Sequence, residues 1–135
     1  MQKGSTVKAH STRELLSDLS HLEISRDMTE DDAAGSMRFL ESFNQCMLGA
    51  VRFSGETPWE RHPEGDELLY VLEGNVVVTI ISDSGQDSSI LTQGSVCVVP
   101  KGLWHRQRAD SGAVVLFATP TEGTQNSWVE DPRST

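Results

Sequence analysis

Four residues in two short stretches of the chain have side chains that bind divalent metals. Glu60, His62 and Glu67 lie close together, and His105 follows about forty residues later. Two imidazoles and two carboxylates suit one divalent transition metal, and Fe, Mn, Zn and Ni all accept such a set. The sequence therefore predicts a mononuclear metal site but does not choose the ion.

The residues around these four read as β-strands, which decides where each side chain points. Side chains alternate across a strand, so Glu60 and His62 are predicted to share one face. By the same rule, Leu69 shares the face of Glu67, and Gln107 shares the face of His105. The sequence thus predicts three pocket residues, with the direction of the last left open: Leu69, Gln107 and Arg52.

The rest of the chain predicts an all-β barrel or sandwich, because many short strands alternate with Gly and Pro turns. Residues 66 to 82 are predicted to form a hairpin, residues 83 to 89 a loop, and Gly49 a β-bulge. Residues 11 to 19 are predicted to form a short helix capped by Ser11, and the acidic residues 27 to 36 a loop.

We predict a single domain in three parts. Residues 1–36 form an N-terminal arm with a short helix, residues 37–120 form the barrel, and residues 121–135 form a polar tail that wraps the surface or frays. Leu15, Leu16 and Leu19 share one helix face, which is expected to pack on the barrel or on a second subunit.

The two metal-binding stretches resemble the two motifs of the cupin family. In the first, Gly55, His62, Glu67 and Gly74 match in order and spacing, while Glu60 stands where the family usually has a His. In the second, four residues match in order and spacing: Gly94, Pro100, Gly102 and His105. Ala109 follows them where the family usually has an Asn.

The resemblance implies a cupin double-stranded β-helix, a jelly-roll-like barrel with Glu60, His62, Glu67 and His105 near its mouth. It implies a metal-binding protein that acts on a small oxygen-rich organic substrate as a dioxygenase, isomerase or lyase. Glu60 or Glu67 would then move a proton as general base. If Glu60 does not coordinate, the remaining His62, Glu67 and His105 are a set that non-haem Fe(II) uses.

The alternative is a metal-free or metal-sensing cupin that binds a small-molecule ligand without catalysis. Family members with the same ligands carry out unrelated reactions, so the fold does not choose between an enzyme and a binding protein. The resemblance also implies a homodimer, for which the apolar face of the short helix offers a surface.

Composition narrows the partners. The net charge of −9 argues against nucleic acid and against anionic membrane surfaces, which need a basic face. The N-terminus lacks the apolar core of a secretory signal, so a cytoplasmic location is expected. Cys46 and Cys97 lie in apolar strands and are interpreted as reduced thiols, with a disulfide or a thiolate ligand as the minority interpretation.

Overall fold

The computed structural model describes residues 7–134. The described chain is an all-β barrel of nine strands with short helical segments at its two ends, as the sequence predicts. The helical segments are α1 (Thr12–Asp18), α2 (Glu30–Ala33) and a 3₁₀ turn (Pro132–Ser134). The strands are β1 (Met37–Phe43), β2 (Cys46–Glu56), β3 (Trp59–Arg61), β4 (Glu67–Gly74), β5 (Val76–Ser82), β6 (Gly85–Leu91), β7 (Val96–Val99), β8 (His105–Pro120) and β9 (Gln125–Ser127).

Strand β8 is the longest element and organises the barrel. Its first half pairs with β5 and β3, and its second half runs between β2 and β4. All of these pairings are antiparallel. Strand β7 pairs with β4, β6 pairs with β5, and β1 pairs with β2. The sheet therefore curls around an apolar interior, and the beginning of β8 is carried to the same end of the barrel as β3 and the beginning of β4.

The predicted hairpin of residues 66 to 82 is wrong. Strands β4 and β5 both pair with β8 and not with each other, and the chain turns between them at Gly74, whose φ is +85°. The hairpin is β5–β6, so the loop predicted at residues 83 to 89 is also wrong beyond Ser84. Most β6 side chains are exposed, and a strand without a buried apolar face gives no alternating pattern to recognise.

Gly49 is not the bulged residue. The register shift lies on the partner strand, between Phe39 and Glu41, and Gly49 stands opposite it. A Cβ at Gly49 would come within 2.7 Å of both the Arg38 carbonyl oxygen and the Phe117 ring. Glycine is therefore required here by space, because a strand backbone and an aromatic ring approach each other too closely for a side chain.

The N-terminal arm packs along the outside of the barrel. Ser11 accepts a hydrogen bond from the Glu14 amide and begins α1, as predicted. Leu15 and Leu19 are buried against Ala50 and Val114, so this helix face covers the chain's own barrel. The homodimer stays a prediction, but this face is already occupied.

The arm contains a second short helix, and the two cysteines of the strands are unpaired. The acidic segment predicted to be a loop contains the one-turn helix α2, which Thr29 and Asp32 stabilise through reciprocal capping hydrogen bonds. Cys46 and Cys97 are both free thiols and both half-buried. Within residues 7–134, no helix has the length and apolar character needed to cross a membrane.

The C-terminal tail wraps the barrel. Strand β9 pairs with β3, the indole Nε1 of Trp59 donates to the Glu130 carbonyl, and Arg26 of the arm donates to the Trp128 carbonyl. The very short strand β3 is therefore held between β8 on one side and the tail on the other.

Candidate metal centre

Three strand ends bring the four predicted metal-binding residues together. Glu60 lies in β3 directly opposite His105, the first residue of β8, and His62 follows β3 by one residue. Glu67 is the first residue of β4. Each side chain therefore leaves the sheet where a strand begins or ends, at one end of the barrel.

The ligand atoms of the four side chains all lie within 4.8 Å of one another. His105 Nε2 is 2.8 Å from Glu67 Oε1, and His62 Nε2 is 3.4 Å from Glu67 Oε2 and 3.1 Å from Glu60 Oε1. The side chains of His62, Glu67 and His105 are almost fully buried, whereas that of Glu60 is 33% exposed. Glu60 thus forms the solvent-facing edge of the cluster.

Burial and charge act in opposite directions on the two central groups. Burial by itself raises the pKa of Glu67, but His105 and His62 outweigh it and lower that pKa to about 2. Burial lowers the pKa of His62, but the carboxylates of Glu60 and Glu67 outweigh it and raise that pKa to about 9. The neighbouring carboxylates therefore favour a protonated His62 in the protein without metal.

The residues fit a divalent transition metal. His62 Nε2 is buried and makes no directed hydrogen bond to any residue between 7 and 134, although two carboxylate oxygens lie near it. Bonds of roughly 2.0–2.2 Å to nitrogen and oxygen place neighbouring ligand atoms roughly 3 Å apart, close to the separations seen here. A cation among these atoms would satisfy His62 Nε2 and neutralise both carboxylates.

Two threonines stand behind the metal-binding side chains. Thr119 donates to Glu67 Oε2 from strand β8, and the hydroxyl of Thr124 lies 2.9 Å from His62 Nδ1. Such contacts fix the orientation and tautomer of a ligand. The sequence prediction missed both residues. Thr119 lies on β8 at a same-face position from His105, but Thr124 is in the tail and no strand pattern points to it.

A cavity of about 770 Å³ opens beside the cluster. Glu60, His62 and Glu67 line one part of it, together with the predicted pocket residues Leu69 and Gln107. The structure does not bring Arg52 to this cavity. Its guanidinium instead donates to the Leu16 and Leu19 carbonyls at the end of α1 and to Glu73, because Arg52 points to the outer face of β2.

The arm and the tail supply a large part of the cavity wall, which the sequence prediction did not include. Leu22, Ile24 and Met28 come from the arm, and Trp128 comes from the tail. Their apolar character is visible in the sequence. Their position is not, because irregular segments carry no periodicity that gives the direction of a side chain.

Two tryptophans beside the metal-binding residues lie on the outer face of the barrel. Trp59 is buried under Arg106, whose guanidinium carbon lies 4.2 Å from the ring centroid, and Arg61 stacks on Trp104 at 4.8 Å. Both arginines therefore point away from the cluster and contribute no positive charge to it.

Comparison with known proteins assigns the fold. Residues 51–119 match the family described as Cupin domain. The chain is 33% identical over 88 residues to the Uncharacterized protein YdbB of Bacillus subtilis, covering 65% of this chain and 73% of YdbB. It is 37% identical over 78 residues to a probable germin-like protein, subfamily 2 member 5, of Arabidopsis thaliana, covering 54% of this chain and 37% of that protein.

Solved structures agree. A cupin-2 domain containing protein from Shewanella frigidimarina aligns with a TM-score of 0.55 and 27% identity, covering 63% of this chain and 79% of that one. Oxalate oxidase in complex with glycolate aligns with a TM-score of 0.54 and 22% identity, covering 61% of this chain and 46% of that one. Hydroquinone 1,2-dioxygenase PnpCD in complex with Cd²⁺ and 4-hydroxybenzonitrile aligns with a TM-score of 0.53 and 22% identity, covering 62% of this chain and 62% of that one.

The chain thus spans little more than a third of the germin-like protein and less than half of oxalate oxidase, and at 22% identity the enzymes show the shared fold alone. The match over residues 51–119 carries the family assignment, and the barrel and the position of the four-residue cluster agree with it. The chain belongs to the cupin family.

Proposed function

We propose that this protein is a metal-dependent cupin that acts on a small organic molecule. One observation carries the proposal. Two imidazole nitrogens and two carboxylates converge within 4.8 Å, and one of those nitrogens, His62 Nε2, is buried without a directed hydrogen bond from the part of the chain that the structure describes. Such a nitrogen beside two carboxylates is held either by a proton or by a metal ion, and the convergence of four ligand atoms favours the metal ion.

The proposed ligands are Glu60, His62, Glu67 and His105, and the ion is one of Fe, Mn, Zn or Ni. When bound, a divalent metal supplies Lewis acidity toward an oxygen atom of the substrate. The chain's own contribution is to hold His105 and Glu67 in a buried contact and to keep a cavity open beside them. Dioxygenase, isomerase and lyase chemistry are all compatible with this arrangement.

Glu60 is the better candidate for moving a proton. Its side chain is partly exposed and lines the cavity, so it reaches both solvent and a bound molecule. Glu67 was predicted as an equal candidate, but its two oxygens face His105, His62 and Thr119 in a buried position. A carboxylate held by three partners is poorly placed to exchange a proton with a substrate.

The names of two structural neighbours support metal-dependent chemistry at this site. One is oxalate oxidase, and the other is a hydroquinone dioxygenase in complex with Cd²⁺. Both place small-molecule chemistry on the same barrel. We propose the same use of the barrel here, without transferring either substrate.

The second candidate is a ligand-binding cupin that works without metal. The observation that favours it is the close contact of His105 with Glu67 at 2.8 Å, which partly satisfies the cluster through its own members. In that case the cavity would bind a small molecule while the four side chains served as hydrogen-bonding groups.

Elemental analysis separates the two candidates. Untagged protein is purified without chelators, and its metal content is measured beside His105→Ala and the control His10→Ala, which changes an exposed histidine outside the cluster. We expect close to one metal per chain, retained by His10→Ala and lost by His105→Ala. No metal in any sample, even after anaerobic incubation with Fe(II), Mn(II), Ni(II) and Zn(II), would contradict the metal-dependent function.

A further inference from the structure

The cavity beside the cluster has both polar and apolar lining residues. The polar ones are Glu60, His62, Glu67, Gln107, Ser25, Arg26, Thr57, Thr119, Thr121, Thr124 and Asn126. The apolar wall is made of Leu22, Ile24, Met28, Met37, Met47, Val51, Phe53, Leu69, Val115, Phe117 and Trp128. A volume of about 770 Å³ lies in the range of pockets that enclose an organic ligand of many atoms. A very small ligand would leave most of this apolar wall unfilled.

The charges of the site do not favour an anionic ligand. A divalent ion bound by Glu60 and Glu67 has its charge cancelled by the two carboxylates. Arg26 is the one arginine among the described lining residues, which include no lysine. Its guanidinium already donates to the Trp128 carbonyl and lies over the Trp128 ring at 5.6 Å. A dicarboxylate would therefore be desolvated here with no positive charge to pair with beyond that of the metal, which Glu60 and Glu67 already balance.

The side-chain carbonyl of Gln107 offers a hydrogen-bond acceptor in the cavity. The Oε1 atom of Gln107 is buried without a hydrogen bond among the described residues. A primary amide that lines an apolar cavity is stabilised by a ligand that donates to it. The ligand therefore needs one hydroxyl or amine group at the end that approaches the cluster.

Part of the apolar wall comes from outside the matched family region. Leu22, Ile24 and Met28 belong to the arm and Trp128 to the tail, whereas the family match covers residues 51–119. Three methionines, Met28, Met37 and Met47, line the cavity, and their unbranched thioethers adapt to ligands of different shape. The arm and the tail thus contribute to ligand choice together with the barrel strands.

We propose that the ligand of this cavity is a neutral, mainly apolar molecule with a single hydroxyl or amine group, and that small dicarboxylates are excluded. This inference rests on the proposed function for the position of the metal, but its apolar part does not require a metal. A para-alkylated phenol is the simplest probe with these properties.

Calorimetric titration with three probes tests the proposal: 4-ethylphenol, 4-ethylanisole and oxalate. Each is titrated into metal-free protein and into Zn(II)-loaded protein at pH 7. We expect 4-ethylphenol to bind one per chain in both forms and oxalate to bind neither. We expect 4-ethylanisole, which cannot donate a hydrogen bond, to bind several-fold more weakly, and Gln107→Leu to remove that difference in the metal-free protein.

Two variants test the wall itself. Met28→Asp places a charge in the apolar wall, and Val51→Phe fills the cavity while keeping the wall apolar. Each is expected to weaken 4-ethylphenol at least about tenfold, because a charge or a ring then occupies space that the ligand needs. The control Ile90→Asp changes a 70% exposed residue of β6 that does not line the cavity, and is expected to leave binding unchanged.

The outcomes separate this inference from the proposed function. Oxalate binding to the Zn(II)-loaded protein more tightly than 4-ethylphenol would overturn the inference and leave metal dependence standing. So would 4-ethylphenol affinity that neither Met28→Asp nor Val51→Phe changes in correctly folded protein. Binding of 4-ethylphenol as expected by a protein that takes up no metal would support the inference and overturn the metal-dependent function.

Discussion

The four-residue cluster has two halves that the fold supports very differently. Glu67 is the first residue of β4 and His105 is the first residue of β8, and these two strands pair with each other. In the interior, His105 Nε2 lies 2.8 Å from Glu67 Oε1. Glu60 and His62 lie in and after the three-residue strand β3, and Glu60 is the exposed edge. Paired barrel strands therefore hold Glu67 and His105, whereas Glu60 and His62 are held by a very short strand that also pairs with the tail.

Residues of the C-terminal tail contact the less supported half of the cluster. Strand β3 pairs with β9 on one side, and the Thr124 hydroxyl contacts His62 Nδ1. The tail lies beyond the matched region of residues 51–119. Barrel packing therefore preorganises Glu67 and His105, whereas the position of Glu60 and His62 depends on a segment held by a few hydrogen bonds.

The largest expected effect comes from the half that the barrel builds. His105→Ala is expected to weaken metal binding by more than the roughly 10–100-fold that changes behind a ligand produce, because it removes a buried ligand outright. Competition with a chromophoric chelator measures the affinity. His10→Ala provides the control, since His10 contacts Glu41 away from the cluster. Equal metal affinity in His105→Ala and the wild type would contradict the assignment of His105 as a ligand.

The proton on His62 predicts the next largest effect. The pKa of His62 is raised from 6.5 to about 9, so below pH 9 a metal must displace one proton. Apparent affinity is expected to rise about tenfold per pH unit, or about 100-fold between pH 6 and 8. Titrations across this range measure the slope. In Glu60→Gln the pH at which this rise levels off is expected to be lower, because a carboxylate that raises the pKa of His62 has been removed. Titrations extended to pH 10 locate that point, and the same point in the variant and the wild type would contradict the assignment.

The same groups predict the stability of the metal-free protein. Because the pKa of His62 is raised, its contribution is complete below pH 6.5 and is lost as pH rises through about 9. Because the pKa of Glu67 is lowered from 4.5 to about 2, its contribution is complete above pH 4.5 and is lost as pH falls through about 2. We expect these groups to stabilise the fold most between pH 4.5 and 6.5. Urea denaturation of wild type and His62→Ala at pH 5.5 and 9.5 tests this, and a stability difference that does not shrink at pH 9.5 would disagree.

A smaller effect is expected from the tail. Thr124→Val removes the hydroxyl beside His62 Nδ1 while keeping the shape of the side chain, and is expected to weaken metal binding about tenfold. Thr124→Ser keeps the hydroxyl and should retain affinity. Thr121→Val is the matched control, because the Thr121 hydroxyl donates to the Gln45 carbonyl instead. Equal losses in Thr124→Val and Thr121→Val would show a general effect of the tail rather than positioning of His62.

The smallest expected effect on affinity at neutral pH belongs to Glu60→Gln. The partly exposed carboxylate is replaced by a neutral group of similar size, and three buried ligands remain. We expect a loss of less than about tenfold, well below that of His105→Ala. Isothermal titration with Zn(II) measures both variants. A loss in Glu60→Gln as large as in His105→Ala would make the two halves equivalent.

The sequence predicts the core of the site because strand parity is a local property. Glu60 and His62, two residues apart, must share a face, and Leu69 and Gln107 follow from Glu67 and His105 in the same way. Arg52 follows the parity of β2 as well. It points outward to the α1 carbonyls, but which face of β2 is inside is not visible until its neighbours are known.

Pairing partners and irregular segments limit the prediction. Strands β4 and β5 are adjacent in sequence and resemble a hairpin. Each pairs with β8 instead, because β8 is long enough to pair with β5 through residues 105–108 and with β4 through residues 113–118. Thr124 and Trp128 reach the site through the path of the tail, which hydrogen bonds such as that from Trp59 to the Glu130 carbonyl hold in place. Contacts of this kind depend on the assembled barrel and leave no periodic signal.

The most direct measurement is an anomalous diffraction map of the Zn(II)-loaded crystal at the zinc edge. We expect one strong peak at the cluster, within roughly 2.0–2.2 Å of ligand atoms from Glu60, His62, Glu67 and His105. A peak bound by His62, Glu67 and His105 with Glu60 turned to solvent would keep the metal and free Glu60 for proton transfer. Absence of a peak at the cluster in a fully loaded crystal would show that these four residues do not form the metal site.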